Sequence, residues 1–148
     1  MTEGAEDTYR LDIKIEDLVH AFKLIKDFLG SSSLEQVEVR VHLRPSALRL
    51  IVDKVGISWF RIDVPAYFLN TPRDTNHYPS YLSVFLSDLE FLATHATGQC
   101  TLAFGPARTL NALEAEFTTG PNNQPAHLTI PLTDTDALTS PPRNLTTD

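Results

Sequence analysis

The sequence predicts an α+β fold, an antiparallel sheet with two helices packed on one face. Three observations predict it. Two segments of the 148-residue chain, Glu16–Leu29 and one beginning near Ser87, carry apolar residues at helical spacing. Runs of apolar–polar alternation surround both. Several consecutive runs are joined by connections too short for parallel crossovers, so neighbours pair as hairpins.

Residues 1–8 read as a flexible lead-in. In the strand Tyr9–Ile15, Tyr9, Leu11, Ile13 and Ile15 alternate with Arg10, Asp12 and Lys14. The first helix follows at once, with a stripe of Leu18, Phe22, Ile25 and Leu29. Gly30 stands just past its end, where a left-handed cap is wanted. The strand Val37–Leu43 places four apolar residues on one face and Glu38, Arg40 and His42 on the other. Pro45-Ser46 breaks it, and Leu48–Asp53 and Ile57–Val64 complete a meander. The inward face of Ile57–Val64 is ambiguous, because both faces carry large apolar groups. Asn70–Ser80 reads as a long loop and Tyr81–Leu86 as a short strand. Ser87-Asp-Leu-Glu90 has the form of a capping box. The helix it opens buries Leu89, Leu92, Ala93 and Ala96 and stops at Gly98. Cys100–Phe104, Leu110–Phe117 and Leu128–Leu132 finish a domain spanning 9–132. The remainder, 133–148, is rich in Thr, Asp and Pro and reads as a flexible tail. The order strand–helix–three strands occurs twice, with no repeat at the level of residues.

Composition narrows the function. The length suits one domain with a real core. The hydrophobic content of 42% is ordinary, and no apolar run approaches a membrane span. The first seven residues are polar and acidic, unlike a secretory signal, so the expected location is cytoplasmic. Cys100 is the single cysteine and sits on a strand face with Leu102 and Phe104, which suits a small buried residue. A net charge of −7 argues against non-specific nucleic-acid binding by the molecule as a whole.

No chemistry-bearing pattern emerges. The histidines His20, His42, His77, His95 and His127 lack metal-ligand spacing, so no metal and no cofactor are expected. His77 alone lies in a loop of the kind that carries catalytic groups, yet the sequence assigns no catalytic residue. There is no phosphate-binding glycine loop and no nucleophile elbow. Glu114 and Glu116 share a strand face and read as a polar surface. Arg40, Arg44, Arg49 and Arg61 form the strongest positive cluster on the sheet's outward face. Cross-strand pairing with Glu38, Asp53 and Asp63 is favoured there over an anionic partner. Ile57 and Trp59, with Tyr67 and Phe68 soon after, suggest an exposed apolar patch for binding a partner.

From 9 to 132 the layout resembles the DNA sliding-clamp superfamily, as in proliferating cell nuclear antigen and the bacterial beta clamp. Two stretches carry the resemblance. Val37-Glu-Val-Arg-Val-His-Leu-Arg-Pro-Ser-Ala-Leu-Arg-Leu-Ile-Val-Asp looks like the strand pair after the first clamp helix. Ser83-Val-Phe-Leu-Ser-Asp-Leu-Glu-Phe-Leu-Ala-Thr looks like the start of the second helix. The resemblance implies a non-catalytic, DNA-clamp-like domain. It implies a homo-oligomer, a ring of about six such domains joined through exposed edge strands, helices inward. Such a ring would encircle double-stranded DNA as a processivity factor in replication and bind protein partners on the outer sheet face, with no membrane involved. His20, Lys23 and Lys26 would then face DNA. One departure stands out. Glu16, Asp17 and Asp27 share the first helix's solvent face with those residues, and the second helix adds Asp88 and Glu90 with no lysine or arginine. The alternative is a clamp-fold structural or protein-binding module that does not contact DNA.

Overall fold

The computed structural model describes residues 8–30, 37–54, 58–72, 81–105 and 111–133. Ile57, His77 and most of both expected flexible ends lie outside the described residues.

Alternation in β1 (Tyr9–Lys14) buries Leu11 and Ile13, and the strand runs into α1 (Ile15–Leu29) with no loop between. Leu18, Ala21, Phe22, Ile25 and Leu29 form the buried stripe of α1, as their spacing requires. Gly30 ends the helix at φ 71°, a conformation that favours a residue without Cβ, and its N–H donates to the Lys26 carbonyl at 2.9 Å.

A meander follows: β2 (Glu38–Arg44), β3 (Ala47–Lys54) and β4 (Ser58–Asn70). The sequence expectation ended β4 at Val64, but the strand continues through Pro65 for 13 residues in all. Its first part pairs with β3 as far as Pro65 opposite Ala47, and its second part, from Ala66, pairs with β1. Pro65 thus sits at the hand-over between two partners, where its missing N–H removes little. The next donor, Ala66 N–H, reaches the Ser46 carbonyl at 3.1 Å. The ambiguity of face resolves with Phe60, Ile62 and Val64 packed inward.

β5 (Leu82–Phe85) enters α2 (Leu86–His95) directly, and β6 (Ala96–Phe104), β7 (Ala112–Thr119) and β8 (Gln124–Pro131) complete the described elements. The expected capping box does not form. Phe85 occupies the N-cap without a side-chain cap bond, so Ser87 lies inside the first turn. The reason is tertiary: Leu86 is fully buried, and its N–H already donates to the Val37 carbonyl at 2.8 Å. The helix also stops before Gly98. Ala96 is buried at the head of β6, and Gly98, at φ 74°, lies where the β6–β7 register shifts between Thr97 and Cys100. Gly98 therefore serves a bulge in a strand.

All pairings are antiparallel, in the order β5-β2-β3-β4-β1-β6-β7-β8. Each half reads strand–helix–three strands, yet the halves exchange partners. β5 of the second half pairs with β2 of the first, and β1 of the first pairs with β6 of the second. Both helices and all eight strands feed one core, with Leu18, Ile25, Leu89 and Leu92 meeting inward residues such as Leu11, Leu50, Leu102 and Ile130.

The sheet curls until its ends touch. Just past β8, the Thr133 N–H donates to the Ser83 carbonyl of β5 at 2.9 Å. Glu38 accepts from the Ser83 hydroxyl at 3.1 Å and from the Thr133 hydroxyl. The chain thus covers part of its own β5 margin. The β8 margin carries Pro125 and Pro131, residues that cannot donate to an incoming strand.

Candidate functional site

Three faces could carry function: the helix layer and the outward faces of the two halves of the sheet. On the helix layer, His20, Lys23 and Lys26 are all exposed on α1. They lie on the side away from the sheet because the buried stripe takes the opposite one. The Lys26 ammonium lies over the Phe22 ring, 5.7 Å from its centroid. Glu16 and Asp27 share this exposed side, and Asp17 is half-buried near its start. On α2, Asp88 and Glu90 are half-buried, and burial pushes the Asp88 carboxyl above its ordinary value. The layer therefore holds more carboxylates than ammonium groups. It also exposes Leu24 and Phe91, the latter's ring tilted against that of His95 with centroids 4.4 Å apart. These two apolar groups were not anticipated. Phe91 falls just off the Leu89–Leu92 stripe, and the helical phase alone would have found it.

Of the four residues expected to form a partner-binding patch, the three described ones do not share one surface. Ile57 lies outside the described residues. Trp59 is half-buried opposite Asp53 of β3. Tyr67 points outward opposite Asp12 of β1 and is 71% exposed. Phe68 faces the other way, packing on the core with its ring edge-on to Tyr9 at 6.1 Å. Eight positions separate Trp59 from Tyr67, on the order of 26 Å of strand. Strand period explains the outcome, since adjacent residues 67 and 68 must take opposite faces. Leu69, unpaired in the bulge between the Leu11–Phe68 and Arg10–Asn70 pairs, is 48% exposed and was not foreseen. Beside Tyr67 lies an open cleft of about 420 Å³ lined by Asp12, Lys14, Asp17, Ala66 and Gln99 among others.

The outward face of the first half holds the arginine cluster. Register sets Arg40, Ile51 and Arg61 in one row across β2, β3 and β4, and His42, Arg49 and Asp63 in the next. Arg49 is buried and donates twice to Asp63, Nε to Oδ1 at 2.9 Å and Nη2 to Oδ2 at 3.3 Å. The His42 ring lies against Tyr81, centroids 4.7 Å apart and planes tilted by 40°.

The outward face of the second half is a set of matched polar pairs. Asp12 accepts from Thr101 and from Gln99, the latter at 2.8 Å. Glu116 meets Arg10 at 3.3 Å, and Glu114 holds His127 and Thr129, each at 2.8 Å. Glu114 and Glu116 thus take separate partners. Beneath this face Cys100 is fully buried, and burial, helped by the Asp12 charge, pushes its thiol up to about 12. Such a thiol is a poor nucleophile. Among the described residues, no three His, Cys, Asp or Glu side chains converge as a metal site. No helix of the structure is long and apolar enough to cross a membrane.

No protein-family model matches the chain, and no curated protein matches it by sequence. Solved structures do match. The DNA polymerase III beta subunit of Thermotoga maritima is similar over 86% of this chain, with a TM-score of 0.59 and 12% identity. The C. crescentus beta sliding clamp is similar over 94% of this chain, with a TM-score of 0.59 and 10% identity. This chain spans 30% of the first and 34% of the second, about a third of either. At such identity the likeness is one of fold: the curled antiparallel sheet with two helices is a clamp-like α+β domain.

Proposed function

We propose that this chain is a non-catalytic, sliding-clamp-like scaffold that assembles with further copies into a ring and tethers partner proteins, with double-stranded DNA as the encircled ligand. One observation carries the reading: two strand–helix–three-strand units share a curled sheet, in the architecture of structures named as a DNA polymerase III beta subunit and a beta sliding clamp. The 148 residues span about a third of each of those chains, so a comparable body contains several such units. Tethering would act through effective concentration, a partner held near the duplex by encirclement, with no base read. His20, Lys23 and Lys26 are the groups that would meet phosphate.

A second reading, a clamp-fold protein-binding module that does not contact DNA, has its own support. Carboxylates outnumber ammonium groups on the helix layer, and phosphate binding is dominated by charge. The β8 margin carries two prolines, and part of the β5 margin is covered by Thr133, which works against pairing between copies.

Two measurements separate the readings. Sedimentation across a wide concentration range should show a discrete oligomer under the first; a monomer throughout ends the ring. Duplex binding measured against salt should weaken as salt rises, and Lys23→Glu with Lys26→Glu should abolish it while leaving assembly intact. Absence of duplex binding in the unmodified protein selects the second reading.

A further inference from the structure

Taking the tethering role proposed above as given, we infer that the outward face of the first half of the sheet docks an acidic, extended protein segment, with Arg40 and Arg61 as its principal contacts. The inference starts from charge. The chain carries −7 overall, yet half of its eight arginines, Arg40, Arg44, Arg49 and Arg61, stand on this one face. Three carboxylates share it: Glu38, Asp53 and Asp63. Two of these are engaged. Asp63 is gripped by Arg49, and Glu38 accepts from Ser83 and Thr133. Among the described residues this is the face with positive excess. The helix layer and the outward face of the second half each hold more carboxylates than lysines and arginines.

The arrangement also suits a protein segment better than a duplex. Arg40 and Arg61 flank the buried Ile51 in one row, two strand spacings apart, or about 10 Å. Half-buried Trp59 lies two residues before Arg61 on the same face of β4, and the His42 ring lies tilted against Tyr81. Arginine and aromatic groups around an apolar centre are the composition of protein–protein interfaces. The interleaved Glu38, Asp53 and Asp63 would repel a continuous polyanion. A peptide can place its carboxylates opposite the arginines and set uncharged residues opposite the acids. Each of these arginines already engages a neighbouring group. A guanidinium has five donors, so such a contact leaves it able to donate to a carboxylate as well.

The test uses a fluorescein-labelled decapeptide of alternating Asp and Leu, with a Lys–Leu decapeptide and a 20-base-pair duplex as comparison probes. Binding is read by fluorescence anisotropy to the whole chain. The Asp–Leu probe should bind, weaken severalfold when salt rises from 50 to 300 mM, and lose roughly tenfold in affinity with Arg40→Gln plus Arg61→Gln. Both side chains lie outside the core, and circular dichroism of the variant checks that the fold survives. Lys23→Glu plus Lys26→Glu should leave the peptide affinity unchanged. Equal binding of the Lys–Leu probe, an unchanged affinity in the arginine variant, or duplex binding lost with Arg40 and Arg61 would each overturn the inference, the last by giving the face to nucleic acid. Sedimentation of the same samples reports assembly separately, so failure of the docking face is distinguishable from failure of the scaffold.

Discussion

Arg49 and Cys100 show how differently buried polar chemistry can be settled. Arg49 is 8% exposed, and Asp63 holds it through two bonds. Asp63→Asn removes the charge and weakens the two bonds that the buried guanidinium makes to it. It should cost about 1–2 kcal/mol, read as a lower urea midpoint at unchanged slope. Pairing of this kind was legible in the sequence, because consecutive strands separated by so few residues pair as neighbours, and the register sets Arg49 opposite Asp63. The Cys100 thiol is a proton-binding group whose native value, about 12, lies above that of an unfolded chain. Above roughly pH 9 the unfolded state releases this proton and the native state keeps it, so stability falls as pH rises from about 9 toward 12. Cys100→Ala should flatten that fall in a series of melts. The division between Tyr67 and Phe68 was legible too, had the period of two been carried through Pro65. Proline reads as a strand end, and only the change of partner from β3 to β1 makes it harmless here.

At the scale of elements, the helix stripes and the strand alternation of the sequence survive in the fold, while the helix starts are set elsewhere. Both helices leave a strand with no intervening loop and begin on residues without a side-chain cap. Local chemistry proposed Ser87 as the cap of α2, but the Val37 carbonyl takes the Leu86 N–H and the cap position falls two residues earlier, at Phe85. A contact between residues 37 and 86 has no signature in a single sequence. The consequence is measurable. Ser87→Ala should change stability by less than about 0.5 kcal/mol, where loss of a true cap costs about 1. Leu92→Ala, in the fully buried stripe of the same helix, should cost about 2–5 kcal/mol. Equal effects from the two would mean that Ser87 caps the helix after all. The same distinction explains Gly98. A glycine after a helical pattern reads as a cap, yet the shift between Thr97 and Cys100 uses its positive φ to bend β6 instead.

For the whole molecule, the exchange of strands between halves decides how it unfolds. Neither half can bury its inward face alone: β5 completes the pairing of β2, and β1 joins β4 to β6. The contact of Thr133 with Ser83 and Glu38 adds a third tie between the two ends of the sheet. The doubled order of elements suggested two similar halves, but order alone does not reveal which strands cross over. The exchange makes them one cooperative unit, with a single transition rather than two. Two native reporters test this, one in each half. Trp59 is the single tryptophan and lies in β4, and Cys100 is the single cysteine and lies in β6. Tryptophan fluorescence and thiol accessibility, followed through one urea titration, should give the same midpoint and slope. Exposure of Cys100 at lower urea than the change at Trp59 would mean the second half opens alone. In that event a clamp-like body built on the joint sheet could not hold its shape under load.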